Sequence, residues 1–327
     1  MKRTRMYLTG AAMTGAAIAA AVVVMPHAPT PLTQTERLAH YDTPLPAPDG
    51  DMGVYYLGHS LIGPDIPAFV QQLAQAARDP QAFYNSQLGW GASLRTHWEP
   101  DEVIPGYDVM NQPPAHRPAK AALRSGDYDA LVLTEMIDLK DAIRWHDSGR
   151  YTALWAQLAR KHAPEIRVYK YETWHQYADA ADWIDRIERD AEALWEGTIL
   201  AQAKAYPGVG TIHVIPAGRA MAAFAREIGA RGGLPGMASA DTLFTLTEDG
   251  LRDDIHPSDK AAYLVALVHY ATLYHADPRG LPHALLRADG TPAEAPAPEV
   301  AALMQQVAWD VVRSVRSTGI VQISGGS

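Results

Sequence analysis

The chain has 327 residues, 47% of them hydrophobic, which suffices for one large α/β domain or two small ones. It contains no Cys, and this excludes a disulfide framework, a thiolate zinc site and a Cys nucleophile. The formal net charge is −9, and no basic cluster could neutralise phosphates, so nucleic acid is not an expected partner.

The N-terminus has the pattern of an export signal. Three of the first five residues are basic, and an uncharged, Ala-rich run follows from Tyr7 to Val24. Because this run is only weakly hydrophobic, we predict that residues 1–28 are a cleaved signal peptide rather than a retained N-terminal anchor. Residues 29–50 are rich in Pro and are predicted to form a linker or an arm over the surface. We therefore expect a periplasmic or secreted protein, with membrane contact only through the first 28 residues if they are uncleaved.

Strand and helix patterns alternate along residues 51–327. The predicted strands are 54–58, 82–85, 128–134, 166–171 and 211–215, and the predicted helices are 68–77, 120–124, 151–162, 183–206, 219–230, 258–274 and 298–315. The strands are apolar enough to be buried on both faces, which is typical of a parallel sheet between two helical layers. The sequence shows no repeat and no second core. It therefore predicts a single domain, a three-layer α/β/α sandwich with a five-stranded parallel sheet.

A candidate nucleophile follows the first strand. Val54 begins an apolar run that stops at Gly58, and Ser60 comes just after it, at the carboxyl end of the strand. Open α/β sheets bind their ligands at this edge. A Ser hydroxyl is a weak nucleophile and needs a general base within hydrogen-bonding reach. The alternative is that Ser60 is only a turn residue.

A candidate base lies almost two hundred residues later, in the stretch Asp253-Asp254-Ile255-His256. A base His needs a carboxylate to fix its tautomer, and an Asp three residues earlier in a tight turn can reach the far ring nitrogen. By proximity alone, either Asp253 or Asp254 could serve. The alternative is a helix N-terminus with capping groups.

Together these two stretches resemble the SGNH/GDSL hydrolases. Gly58-His59-Ser60-Leu61 is similar to the family's nucleophile block, and Asp253-x-x-His256 is similar to its terminal block. The resemblance covers roughly residues 54–274. It implies a flavodoxin-like α/β/α fold and hydrolysis of esters, thioesters or acyl groups on sugars. It also implies Ser60 as nucleophile, His256 as base and Asp253 as the orienting carboxylate.

The resemblance is weaker in the two blocks that form the oxyanion hole. The family's second block supplies a Gly amide, and Gly91 is the best counterpart, with Gly89 second. The run Gly91-x-Ser-Leu-x-x-His-Trp98 resembles a divergent SGNH subfamily of unassigned function. The third block normally supplies an Asn side chain, but this chain has Thr134-Glu135 after the third strand. An ionised Glu cannot donate a hydrogen bond. We therefore expect the oxyanion hole to use the backbone amides of Ser60 and Gly91 and some other donor.

Several aromatic and polar residues fall on loops at the same predicted rim. Aromatic rings beside polar groups suit the recognition of sugars, although any single Trp could instead pack its loop onto the core. The predicted substrate-binding residues are Trp90, His97, Trp98, Glu135, Trp174 and His175. For Glu135 two interpretations remain open, contact with a substrate hydroxyl or cation, or a buried structural carboxylate paired with an Arg or with the His97 ring. The His and Glu spacing matches no known zinc pattern, so neither a metal nor another cofactor is expected.

These features predict an exported serine esterase that removes a small acyl group, acetyl in the first instance, from a polysaccharide or related carbohydrate. A lipid or thioester hydrolase would use the same mechanism but would need an apolar groove. An acyltransferase would resolve the acyl-enzyme with a sugar hydroxyl instead of water. A non-catalytic glycan-binding or assembly protein on the same fold is the alternative from a different class, and the missing Asn favours it.

Overall fold

The computed structural model describes residues 28–77, 79–179 and 182–320, and its centre is a sheet of five parallel strands in the order β2-β1-β3-β4-β5. The strands are β1 Gly53–His59, β2 Phe83–Gly89, β3 Ala130–Leu133, β4 Arg167–Glu172 and β5 Ile212–Pro216. This is the flavodoxin-like order of a doubly wound sheet. The predicted signal peptide lies outside the described residues except for Ala28.

Helices cover both faces of the sheet. They are α1 Gln34–Ala39, α2 Asp65–Ala77, α3 Leu94–Trp98, α4 Tyr107–Met110, α5 Ala119–Ser125, α6 Leu139–Trp145, α7 Ser148–His162, α8 Trp183–Asp190, α9 Ala201–Lys204, α10 Ala217–Ala230, α11 Asp259–Tyr274 and α12 Pro298–Ser314. A π-helical stretch, Ala191–Leu200, joins α8 to α9, so the helix predicted at 183–206 is nearly continuous. None of the helices in the described ranges is long and apolar enough to cross a membrane.

Alternate residues of each central strand enter opposite cores. On β1, Val54 and Tyr56 pack with α2, α10, α11 and α12, whereas Tyr55 and Leu57 pack with α5 and α7. Both faces of the strand are therefore buried, which explains why its sequence is continuously apolar. The three-layer α/β/α sandwich predicted from the sequence is confirmed.

Two elements near the sheet's carboxyl edge differ from the prediction. Strand β2 extends beyond 82–85 because its second half, through Gly89, pairs in register with β1 up to His59. The stretch from Asp253 to His256 was predicted to be a tight turn. It is instead part of β7 Arg252–Pro257, which pairs with β6 Phe244–Leu246 in a small antiparallel hairpin. The hairpin matters because β7 carries the Asp and His of the candidate site.

The Pro-rich residues 29–50 form an arm that packs on the body. The Tyr41 hydroxyl donates to the Ile212 carbonyl at 2.7 Å, and the Leu45 amide donates to the Gly319 carbonyl at 2.8 Å. Because Ile212 begins β5, an edge strand of the sheet, the arm supplies a partner for a backbone carbonyl at that edge. Of the two alternatives left by the sequence, linker or arm, the structure has the arm.

Candidate active site

The structure brings Ser60, His256 and Asp253 into one hydrogen-bonded chain. The Ser60 Oγ lies 3.0 Å from Nε2 of His256, and Nδ1 of His256 lies 2.9 Å from Oδ2 of Asp253. An Asp carboxylate only accepts, so Nδ1 carries the proton and Nε2 is left free to accept the Ser60 proton. The arrangement can activate the Ser60 hydroxyl as a nucleophile.

Asp253 is held by its own loop. Its second oxygen, Oδ1, accepts the backbone amides of Ile255 and His256, each at 2.7 Å. Burial raises the pKa of the Asp253 carboxyl, but the hydrogen bonds from His256 and Ile255 outweigh this and hold that pKa below its usual value. Asp253 therefore stays ionised opposite the imidazole. The sequence allowed either Asp253 or Asp254 to contact His256, and in the structure Asp253 makes this contact.

Buried side chains fix the turn that carries Ser60. The His59 ring donates from Nε2 to the Glu135 carbonyl at 2.7 Å, and its Nδ1 accepts the Leu61 amide at 3.4 Å. The Tyr171 hydroxyl donates to the Leu61 carbonyl at 3.0 Å. Burial lowers the pKa of His59 to about 4, so the ring is neutral at pH 7 and keeps both contacts. The peptides on either side of Ser60 are thus anchored to β3 and β4.

The hydrogen-bonded chain of Ser60, His256 and Asp253 opens into a cavity of about 510 Å³. The walls beside Ser60 and His256 are mainly apolar and come from Leu61, Trp90, Gly91, Ile137 and Ile255. The two Ile residues were not predicted from the sequence. Only their positions in the sequence could have indicated this role: Ile137 follows the third block, and Ile255 lies between Asp253 and His256.

Gly91 lies in the cavity wall near Ser60, as expected for an oxyanion donor. Its φ of +56° is in the left-handed region, which Gly adopts without strain. The second candidate, Gly89, ends β2 and packs against Ile104, and it is not part of the cavity wall. Of the two candidate glycines, Gly91 is therefore the one in the wall of the cavity that contains Ser60.

Trp90 is the predicted rim residue that reaches the cavity. Its side chain is 53% exposed, and the ring lies directly on the backbone of Gly106. With one face supported and a large exposed area beside Ser60, the indole has the form of a platform for a flat or ring-shaped group.

Two other predicted substrate-binding residues are buried and bond to the protein itself. His97 donates from Nε2 to the Gly58 carbonyl at 2.8 Å, and its Nδ1 accepts from Gln87 at 3.0 Å. Trp174 is fully buried, and its indole N–H donates to the Ile255 carbonyl at 2.8 Å. Both residues support the site from behind and do not line the cavity.

Trp98 and His175 also lie away from the cavity. The Trp98 ring packs edge-on against Trp155 with centroids 4.9 Å apart, and the Lys120 ammonium lies 4.5 Å from the ring centre. His175 is buried and lies 3.1 Å from Asp190. The predicted carbohydrate surface of three Trp rings is therefore reduced to Trp90, because the other two rings have partners inside the protein.

Glu135 is a buried structural carboxylate. It is fully buried and accepts three hydrogen bonds, from the Leu94 amide at 3.2 Å, the Met136 amide at 3.0 Å and the Ser148 hydroxyl at 2.5 Å. Of the two interpretations from the sequence, the structural one fits, although the partners are amides and a hydroxyl rather than an Arg or the His97 ring. Within the described ranges, no group of three potential ligand side chains could hold a metal ion.

Comparisons with known proteins support the fold. Neither a family model nor a curated protein matches the chain. A DUF4886 family protein from Bacteroides uniformis superposes with a TM-score of 0.53 at 16% identity, over 80% of this chain and 95% of that one. A provisionally named SGNH hydrolase from Slackia heliotrinireducens has a TM-score of 0.40 at 20% identity, over 68% and 98% of the two chains. A carbohydrate esterase family 3 protein from Talaromyces cellulolyticus has a TM-score of 0.31 at 16% identity, over 68% and 97%.

The fold and the candidate site define a class, an α/β/α sandwich with a Ser-His-Asp chain at the carboxyl edge of its parallel sheet. The superposition with the DUF4886 family protein supports this α/β/α fold, and at 16% identity the likeness concerns the fold alone. The resemblance to the SGNH/GDSL hydrolases stays a prediction from the sequence.

Proposed function

We propose that this protein is an exported serine esterase that removes a small acyl group from a polysaccharide or a related carbohydrate, and that this group is acetyl. The observation that carries the proposal is the chain Asp253–His256–Ser60, whose hydroxyl end opens into a cavity. A binding module has no need of all three groups in hydrogen-bond contact.

In the proposed mechanism each of the three residues has one role. The Ser60 Oγ attacks the ester carbonyl carbon while its proton passes to Nε2 of His256, and Asp253 stabilises the imidazolium. The tetrahedral intermediate then collapses with breakage of the bond between the acyl carbon and the sugar oxygen, and His256 gives its proton to that oxygen, which leaves as a hydroxyl. Water attacks the acyl-enzyme with His256 as base, and collapse releases the carboxylic acid and restores the Ser60 hydroxyl. No metal or cofactor takes part in this sequence.

The oxyanion is stabilised in this proposal by the backbone amides of Ser60 and Gly91. Removing one donor from such a hole typically lowers the rate about 10²–10³-fold. Because Glu135 stands where the family has Asn and only accepts hydrogen bonds, we expect a lower turnover than a hole with three donors would give.

Two features of the cavity support the choice of substrate. The supported, half-exposed ring of Trp90 suits stacking against a sugar, which would place the alcohol part of the ester there. The apolar walls of Leu61, Ile137 and Ile255 suit the acyl part. The same apolar walls favour the second candidate function, a lipid or thioester hydrolase, in which a longer chain would lie along Ile137 and Ile255.

Export is part of the proposal and is supported by the basic N-terminus and the uncharged run up to Val24. Detection of the protein, with residues 1–28 removed, in the periplasm or the medium would establish it. Retention of the full chain in the cytoplasm would contradict it.

Hydrolysis of p-nitrophenyl acetate by the purified protein and by its Ser60→Ala variant tests the mechanism. We expect activity that disappears in Ser60→Ala and is unchanged in Ser314→Ala, a matched change in a surface Ser on α12. A series of p-nitrophenyl esters with lengthening acyl chains, beside acetylated xylan, separates the carbohydrate esterase from the lipid or thioester hydrolase. Equal rates in the wild type and Ser60→Ala, or no activity in either, would contradict an esterase and leave glycan binding or acyl transfer to a sugar.

A further inference from the structure

We propose that Glu135 is a positioning residue that holds the oxyanion loop, defined as residues 89–94, in register with the nucleophile turn. The inference rests on the proposed esterase function, since it concerns the same site. It assigns a task to the residue that stands where the SGNH/GDSL pattern has an oxyanion donor.

The first attachment is to the end of the oxyanion loop. The Leu94 amide donates to Oε1 of Glu135 at 3.2 Å, and Leu94 is the first residue of α3. The cap of this helix, Ser93, accepts the Thr96 amide at 3.1 Å, so the first turn is closed on both sides. Gly91 lies only three residues before Leu94, which limits how far its amide can move relative to Glu135.

The second attachment is to the nucleophile. The backbone carbonyl of Glu135 accepts the His59 ring N–H at 2.7 Å, and His59 is the residue before Ser60. One residue therefore contacts the loop that presents Gly91 and the turn that presents Ser60. The two segments that carry the proposed oxyanion donors are therefore both attached to Glu135.

The remaining contacts hold the carboxylate itself. The Ser148 hydroxyl, at the start of α7, donates to Oε2, and the Met136 amide shares Oε1 with Leu94. The side chain is fully buried, and the two backbone amides on Oε1 can only donate. Ala at this position would leave the Leu94 and Met136 amides without their acceptor. Gln would keep an oxygen for both amides and could donate its N–H₂ group to the Ser148 oxygen, since a hydroxyl also accepts.

The other end of α3 is tied to β1. His97 donates to the Gly58 carbonyl at 2.8 Å, so the helix is attached at its start to Glu135 and near its end to the strand that leads to Ser60. This explains the spacing of the Gly-x-Ser-Leu-x-x-His-Trp run. Its Ser caps the helix, its Leu amide bonds Glu135, and its His bonds the strand.

Such positioning matters more here than in a hole with a third, side-chain donor. Oxyanion donors act over about 2.7–3.1 Å, and a displacement of about 1 Å can lower the rate about 10²-fold. With an acceptor at position 135, stabilisation depends on two backbone amides, and backbone amides can be moved only by moving their loops.

The test compares Glu135→Ala with Glu135→Gln and with Glu172→Ala. Glu172 is a matched control because it is also fully buried at the carboxyl end of a central strand, but its partners are the amide and the guanidinium of Arg219 on α10. For Glu135→Ala we expect kcat on p-nitrophenyl acetate to fall about 10- to 100-fold with KM nearly unchanged. Glu135→Gln, which keeps an acceptor for the two amides, should restore most of kcat, and Glu172→Ala should change neither constant.

Binding of a boronic acid gives a readout that a merely structural role would not move. The Ser60 oxygen adds to boron, its proton passes to His256, and the tetrahedral anion that forms mimics the oxyanion intermediate. Its affinity should fall in Glu135→Ala by about the same factor as kcat and should be close to that of the wild type in Glu135→Gln. Ser148→Ala, which removes one of the three donors, should give a smaller change in the same direction and serves if Glu135→Ala does not fold.

Hydrogen exchange makes the two proposals separable. Peptides covering residues 89–98 should exchange faster in Glu135→Ala than in the wild type, whereas those covering 252–258 should not. If the wild type proves to have no esterase activity, faster exchange at 89–98 still supports the positioning role while the proposed function fails. Unchanged kcat, boronate affinity and exchange in Glu135→Ala would overturn the inference, as would an equal loss in Glu172→Ala.

Discussion

Replacing Asp253 by Asn tests whether this carboxylate orients the His256 ring, and the structure shows what each of its two oxygens contacts. Asp253 uses one oxygen for His256 Nδ1 and the other for two backbone amides at 2.7 Å each. An Asn has one acceptor oxygen and must choose. If the oxygen keeps the two amides, the N–H₂ group faces the ring, and the ring must present a lone pair at Nδ1.

The choice decides the tautomer and therefore the size of the effect. Two backbone hydrogen bonds outweigh one side-chain hydrogen bond, so the Asn oxygen should stay on the amides of Ile255 and His256. The His256 proton then moves to Nε2, which faces Ser60 and can no longer accept its proton. A wrong tautomer in a triad of this kind lowers kcat about 10⁴-fold, which corresponds to about 5.4 kcal/mol in the activation barrier.

The measurement is steady-state hydrolysis of p-nitrophenyl acetate by Asp253→Asn and, as the matched control, by the neighbouring Asp254→Asn. Because the loop contacts survive, the melting temperature of Asp253→Asn should stay close to that of the wild type. Asp254→Asn should keep most of the activity. Equal losses in both variants, or wild-type kcat in Asp253→Asn, would refute the assignment of the orienting carboxylate.

Two further predictions follow from the same structure. In Gly106→Ala the new Cβ would overlap the Trp90 ring, so KM for acetylated xylan should rise several-fold while KM for p-nitrophenyl acetate changes little. Gly208 is the control because it has a similar positive φ and open space around it, and Gly208→Ala should change neither KM. Burial lowers the pKa of His59 and of His97 to about 4, against about 6.5 in the unfolded chain. Below pH 6.5 the unfolded chain therefore binds more protons than the folded protein, and the free energy of unfolding should fall as the pH drops towards 4. At pH 5 the expected loss is about 2 kcal/mol per site. Urea unfolding at pH 7 and pH 5 measures this, and His97→Gln should flatten the dependence; equal stability of the wild type at both pH values would contradict it.

Much of the fold was predictable because its signals are local. A strand buried on both faces is mostly apolar along its length, and β1 and β3 show this directly in the sequence. The turn after β1 and the Asp-x-x-His spacing are short motifs, so Ser60 and His256 could be proposed together. The hairpin that carries His256 was missed, since three residues of β6 are too few to show an alternating pattern.

The layered α/β architecture and the candidate nucleophile, base and carboxylate could be predicted before the structure was known, because hydrophobic periodicity and short motifs are local properties of the chain. Which rim residues face the cavity and which face inward depends on tertiary packing. Trp174 and Trp90 look alike in sequence, but the indole of Trp174 bonds a carbonyl 81 residues away, whereas the ring of Trp90 remains half-exposed beside Ser60. The same holds for Glu135, whose donors come from Leu94 and Ser148. Partners so distant in sequence are set by how the elements pack, which no local pattern contains.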